Sequence, residues 1–274
     1  MNLLDISIVL FYLLGTVGYF AHLIFQKDFL YRAGFYLLLC GFLLHSVSIG
    51  VGFTASGQIT VRNLHETLSM SGWIIAGVFF LLQKRLNLKI LGVWAAPLLL
   101  VIMIIVMQLP REPVQAVKIL DSVLIVFHVV AVLAGDAALA LACGVGILYL
   151  LQEWDIKNKK QGFFFKRLPS LDMLDRTGYA CIIFGFISLT LGLIGGLVYS
   201  KTTYGRFWGW DAAKEIWSGA TWLIYAALIH ERLVVGWRGR RSAIMAIIGF
   251  IVLLFTFFGV NFILKGQHGN FTGL

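Results

Sequence analysis

Charge is scarce in this sequence. Only 13% of its 274 residues are charged, against 59% hydrophobic, and the mean hydropathy is +0.89. A soluble domain of this size covers itself with about a quarter charged residues. A water-soluble globule is therefore excluded, and lipid is the solvent for most of the chain. No polar stretch is long enough to build a separate soluble domain, so residues 1–274 are expected to form a single transmembrane domain. Paired cysteines are also missing. Cys40, Cys143 and Cys181 stand singly in apolar stretches. Without Cys-x-x-Cys there is neither a dithiol redox centre nor a covalent c-type haem attachment site, which leaves small packing residues. The opening MNLLDISIVLFYLLG has no basic leader and no small-residue cleavage site, and reads as a retained first span. Internal repeats, low-complexity tracts and flexible linkers are not evident.

What is present is a series of apolar runs. About 20 residues at about 1.5 Å rise cross a hydrocarbon core of about 30 Å. Eight runs reach that scale: roughly 5–26, 33–53, 66–83, 90–108, 120–151, 177–199, 216–236 and 243–264. The fifth is longer than a crossing needs and is expected to project beyond the bilayer. The predicted fold class is all-α, a polytopic membrane bundle of about eight helices.

The 22 basic residues are unevenly shared between alternate connections. Lys27 and Arg32, Lys84 to Lys89, Lys157 to Arg176 and Arg232 to Arg241 hold fifteen of them. Arg62, Arg111, Lys118, Lys201, Arg206, Lys214 and Lys265 make up the rest. By the positive-inside rule both termini lie outside, in a periplasm or its equivalent. The net charge of +9 is then a topology signal, and nucleic-acid binding is not expected. The outer face carries the loops near 54–65, 109–119 and 200–215, and the tail 265–274.

One outer loop stands apart. Tyr204-Gly-Arg-Phe-Trp-Gly-Trp-Asp211 places four aromatics within seven residues, and Lys214, Glu215, Trp217 and Trp222 follow. An interfacial aromatic belt accounts for one or two rings per helix end, not for this density. A dense aromatic surface beside Arg206, Asp211 and Lys214 suits a large planar ligand: rings stack on its face and charges orient substituents such as carboxylates. The belt and the ligand platform both stand as readings of the residues alone.

The same stretch resembles the tryptophan-rich WWD domain of the cytochrome c assembly superfamily, which includes CcsA, CcmC and CcmF. Three further segments resemble the CcsA-type (System II) subfamily. These are Asn63-Leu-His-Glu66, the run Trp222-Leu-Ile-Tyr-Ala-Ala-Leu-Ile-His230-Glu-Arg232, and the end Gly259-Val-Asn-Phe-Ile-Leu-Lys-Gly-Gln-His268-Gly. The likeness covers roughly residues 60–274 in order and spacing. Tyr204 stands where the motif commonly has a first Trp. Asp211-Ala-Ala-Lys-Glu215 replaces the usual Asp-Pro-Lys-Glu. Trp208, Trp210 and Asp211 are intact.

The six histidines divide by depth. Neutral imidazole is a strong iron ligand, and a bis-His site needs two at matching depth. His128 lies at the outer end of the fifth span and His268 in the outer tail, both on the aromatic loop's side. The resemblance implies that these two are axial ligands of haem iron. It further implies that Tyr204, Arg206, Phe207, Trp208, Trp210, Asp211 and Trp217 bind the ring. His230 sits about 20 Å into a span entered from outside. There an imidazole marks a functional site by default, with hydrogen bonding between helices as the competing account. The resemblance makes it a transient haem ligand within the membrane, partnered by a CcsB-type subunit. His22 falls in the inner half as well, so an internal pair with His230 is a further arrangement. His45 reads as structural, and His65 has no ligand role. Asp136 lies eight residues below His128 on nearly the same face. A carboxylate at that depth costs about 2.5–3.5 kcal/mol on insertion scales and calls for a partner, a proton or a wet cavity. Support of the haem path is one use for it.

The resemblance implies a relay: haem b, as substrate, is held near His230, moves to the outer platform and is presented to the Cys-x-x-Cys-His thiols of apocytochrome c. The chain would be the haem-handling subunit of a cytochrome c synthase in a cytoplasmic membrane, facing the periplasm, with no catalytic side chain of its own. A partner such as a thioredoxin-like thiol reductant must keep iron and cysteines reduced. A HemX-like haem-pathway protein is the near alternative, and the intact Trp-x-Trp-Asp speaks against it. A proton-coupled secondary transporter would use His230 and Asp136 and calls for helix breaks at mid-membrane, whereas Pro97 is the one proline within a span. An electron-transfer b-type cytochrome would need histidine pairs stacked within the membrane.

Overall fold

A backbone in lipid must satisfy its own hydrogen bonds, and helices do so within one segment. The computed structural model, which describes residues 3–59, 61–86, 89–110, 122–159, 166–207 and 212–256, is helical throughout, with no strand among those residues. Its helices are α1 (Leu3–Phe25), α2 (Asp28–Ser56), α3 (Leu64–Leu86), α4 (Leu91–Gln108), α5 (Val123–Lys157), α6 (Leu171–Tyr204), α7 (Ala212–His230) and α8 (Arg240–Leu254). A π-helical turn, Glu231–Val235, extends α7. The chain is a multi-pass membrane protein, and α1 to α6 are each long and apolar enough to cross a membrane. The seventh apolar run begins four residues earlier than the pattern predicts and ends in the π turn. The described part of α8 covers only the first part of the eighth.

Two compact units form, Met1–Leu120 with Lys166–Leu168, and Asp121–Phe165 with Pro169–Leu274. In the first, α1 and α2 cross closely: a Cβ on Gly18 would stand 2.6 Å from the Gly34 Cα. Small residues of this kind give membrane helices their contact area, because lipid supplies no hydrophobic drive between them. Polar groups are buried within this unit as well. His45, fully buried, meets the Tyr12 hydroxyl through Nδ1 at 3.2 Å and Ser69 Oγ through Nε2 at 3.0 Å, joining α1, α2 and α3. At the α1 C-terminus the Arg167 Nε donates to the Ile24 carbonyl at 3.2 Å, satisfying one of the acceptors that a helix end leaves open.

In the second unit α5 and α6 pair along most of their length. Residues Ala137 to Ala142 of α5 are almost wholly buried, and a Cβ on Gly135 would come within 2.9 Å of the Leu189 amide nitrogen. At 35 residues α5 is about 52 Å long, more than the about 30 Å that a crossing needs. At 34 residues, α6 is nearly as long and exceeds its expected bounds at both ends. Ser170 caps it by accepting from the Met173 amide at 3.3 Å.

The far end of α7 is held by a clasp. Arg232 donates through both terminal nitrogens to Asp175 of α6, at 2.9 and 2.7 Å, with side chains about one-tenth exposed. Its guanidinium stacks over Tyr179 at 4.1 Å, and the Gly239 amide donates to the same carboxylate at 2.7 Å. Removing one partner strands a buried charge. Asp175→Ala is expected to cost about 3–5 kcal/mol, read as a lower thermal midpoint of the detergent-solubilised protein. Asp172→Ala, whose pair with Arg176 is open to solvent, should leave that midpoint nearly unchanged. Equal losses in both would show that the clasp is no more than a surface pair.

Candidate functional site

His128 sits on the second turn of α5, half-buried against α6. Its Nδ1 lies 2.7 Å from the Gly192 carbonyl oxygen. A carbonyl only accepts, so the bond puts the proton on Nδ1 and leaves the Nε2 lone pair free for a ligand. This is the arrangement that orients a metal-binding imidazole and raises its basicity.

From Gly192, α6 runs on for about three turns to the aromatic turn. Gly205 ends the helix with φ +72°, its amide donating to the Lys201 carbonyl at 3.1 Å. Ser200 Oγ donates to the Arg206 carbonyl at 2.8 Å, and Lys201 Nζ donates to the Gly205 carbonyl at 3.0 Å. The same ammonium lies 5.0 Å from the centre of the Phe207 ring. The chain thus folds back on α6 while Tyr204, Arg206 and Phe207 stay exposed, Phe207 by 57%. Tyr204 meets Tyr199 edge-on at 6.3 Å. On α7, the half-buried Trp217 packs edge-on against Phe255, the residue that follows α8, at 4.6 Å. Trp222 points into the unit, its Nε1 donating to Thr190 Oγ1 at 2.9 Å and its ring lying against Phe186. That ring is an anchor for α7. His128, the 204–207 turn and Trp217 therefore share one end of the unit. Trp208, Trp210, Asp211 and His268 lie outside the described residues, as does the side chain of Lys214.

His230 belongs to the opposite end. It closes α7 with its side chain 65% exposed, 3.9 Å from Glu231 and two residues before the clasped Arg232. Asp136 is half-buried two turns along α5 from His128, within electrostatic reach of the Tyr225 hydroxyl of α7. In the first unit, His22 Nδ1 lies 3.0 Å from the Lys27 carbonyl and its ring leans on Tyr31. The hydrogen-bonded His45 is a structural histidine, as its sequence context suggests. At Asn63-Leu-His-Glu66, Asn63 Oδ1 caps α3 by accepting from the Glu66 amide at 2.8 Å, and the Glu66 carboxylate accepts from the Arg62 backbone amide and guanidinium at 2.6 to 3.1 Å. Sequence reasoning did not find Gly192, Gly196, Ser200 or Lys201. The Gly192-x-x-Gly195-Gly196 spacing was a signal for a close-packed helix face.

The sequence model of the family described as cytochrome C assembly protein matches residues 61–268. The chain belongs to that family. Relatives over nearly the whole length are named cytochrome c biogenesis protein CcsA. That of Guillardia theta is 30% identical over 278 residues, covering 93% of this chain and 91% of the relative. That of Chlorella vulgaris is 31% identical over 303 residues, covering 97% and 95%. A Prochlorococcus marinus protein is 31% identical, covering 82% and 80%. A role in cytochrome c assembly follows from membership of the family, and the match takes in α3 to α8, with both the Gly192-held imidazole and the aromatic turn.

The turn rests on one residue with a left-handed backbone. Gly205→Val would force a β-branched side chain to φ +72°, at a cost of about 1–2 kcal/mol. Trypsin should then cut faster at Lys201 and Arg206 in membrane preparations, with α6 cleavage elsewhere unchanged. An unchanged rate would show that the turn does not depend on the Gly205 conformation.

Proposed function

We propose that this cytochrome c assembly protein is the haem-handling membrane subunit of a cytochrome c synthase, which binds haem b as substrate and presents it to apocytochrome c. The observation that carries this reading is His128, whose Nδ1 is tied to the Gly192 carbonyl and whose Nε2 is left as a ligand, at the same end of its unit as the exposed aromatic turn.

In this reading His128 and His268 bind iron from the two faces of the porphyrin. Trp208, Trp210, Tyr204, Phe207 and Trp217 flank the ring, and their dense aromatic surface excludes water from it. Among the described residues Arg206 is held through its backbone carbonyl, by Ser200, and its guanidinium suits pairing with a propionate. Asp211 orients the charges around it. Bound haem supplies two vinyl groups, and one cysteine thiol of apocytochrome c adds its sulfur and hydrogen across each. The chain's own contribution is position: it brings a scarce, membrane-soluble reactant to fixed geometry before a thiol peptide. No side chain of the protein is required as an acid or base.

His230 plays the earlier part. Its imidazole faces away from its own unit, which suits a ligand shared with a second membrane subunit of CcsB type. The clasp at Arg232 keeps the helix end that carries it from unwinding. With both termini outside, as the lysine and arginine distribution indicates, His128 faces the periplasm from a cytoplasmic membrane and His230 lies in the inner half. The 274 residues then act as one assembly domain, with a thioredoxin-like partner keeping thiols and iron reduced.

The test is the haem spectrum of the purified protein, wild type beside His128→Ala and His268→Ala. Wild type should carry six-coordinate, bis-histidine haem, and each substitution should lower haem content about 10-fold or more. Haem-free wild type from haem-replete cells, or variants with unaltered spectra, would refute the outer site.

A further inference from the structure

Two glycines of α6 meet the His128 side chain, and they do so differently. Gly192 contributes its carbonyl oxygen, 2.7 Å from Nδ1. Gly196, one turn further on, contributes the absence of a side chain. A Cβ there would stand 2.8 Å from Nδ1, 2.9 Å from Cε1 and 3.5 Å from Cγ of the imidazole.

We infer that Gly192 and Gly196 are positioning residues for His128: one fixes which ring nitrogen carries the proton, the other leaves the space in which Nε2 is offered to haem iron. This rests on the reading of His128 as a haem ligand.

Glycines on membrane helices usually serve backbone approach, and Gly192 serves that too. A Cβ on it would lie 2.6 Å from Val132 Cγ2 and 2.9 Å from the Val132 amide nitrogen, so a larger residue would part α5 from α6. Gly195 would meet mainly the Phe127 ring, at 3.0 Å. Gly196 is the informative case. All three of its nearest contacts are imidazole atoms and none is backbone. A methyl group at 196 leaves the two helices where they are and turns the ring aside. The turned ring loses the Gly192 carbonyl, its proton is no longer confined to Nδ1, and Nε2 no longer points as it did. A carbonyl partner on the distal nitrogen of a metal-binding histidine is worth about 10- to 100-fold in affinity.

The decisive variant is Gly196→Ala in the full chain, purified with haem. Its companions are His128→Ala, the double variant, and Gly178→Ala, whose Cβ would make only an ordinary 3.6 Å contact with Val145. Alanine favours a helix interior over glycine, so the Gly196→Ala thermal midpoint should not fall. Haem affinity should nonetheless drop about 10-fold, with a shifted reduction midpoint and altered low-spin ferric resonance. Gly178→Ala should match wild type, and Gly196→Ala should add nothing in the His128→Ala background. Independently of any variant's folding, nitrogen NMR of haem-free wild type should show His128 protonated at Nδ1. Three results would overturn the inference while leaving the ligand reading intact: wild-type haem properties in Gly196→Ala while His128→Ala loses haem, an undiminished Gly196→Ala effect without His128, or an Nε2-protonated His128. Wild-type haem in His128→Ala would overturn the ligand reading, and this inference with it.

Discussion

The close approach of α5 and α6 is the constraint on which the second unit depends. Two helices of 35 and 34 residues lie together because glycine and alanine line their contact, with Gly135 against the Leu189 backbone and Gly192 against Val132. In lipid there is no hydrophobic force to drive this pairing, and van der Waals contact between bare backbones takes its place. The register that these contacts impose brings residue 128 beside residue 192. The imidazole acquires its carbonyl partner as a consequence of helix packing, without any local motif.

The two ends of this unit are built for different tasks. At one end the polar groups are turned outward or left open: a half-buried imidazole with one free nitrogen, an aromatic turn held by Ser200 and Lys201, and rings exposed beyond it. At the other end a buried ion pair is fully used, since Asp175 accepts from Arg232 and from the Gly239 amide. A ligand site needs unsatisfied valence held rigidly, and an anchor needs satisfied valence. The division accounts for why α7, which joins the two ends, is fixed at one by Trp222 on Thr190 and at the other by Arg232 on Asp175.

Much of the architecture was legible because lipid imposes a length and a composition on every crossing. Among the described residues, all eight α-helices stand where apolar runs predicted them, and the excess length of α5 was visible in its run. Boundaries were less legible: α6 is longer at both ends than its apolar stretch, and α7 passes into a π turn that no hydropathy pattern marks. Of the site, the aromatic density around 204–217 and the histidines could be named from the sequence, because such residues are rare and costly at those depths. The glycines could not be singled out, since the chain has 29 of them and composition does not say which meets a side chain.

The sequence by itself determined a helical, multi-pass membrane protein with a dense aromatic turn, because hydropathy and residue type act along the chain and need no knowledge of what lies opposite. The tertiary structure decided what each polar group meets. His45 became a buried hydrogen-bonding centre, and His128 a one-sided donor to a carbonyl 64 residues away. Arg232 found its carboxylate 57 residues back along the chain. Pairings over such distances are set by the register of helix against helix, which depends on the fit of whole surfaces and is carried by no single residue.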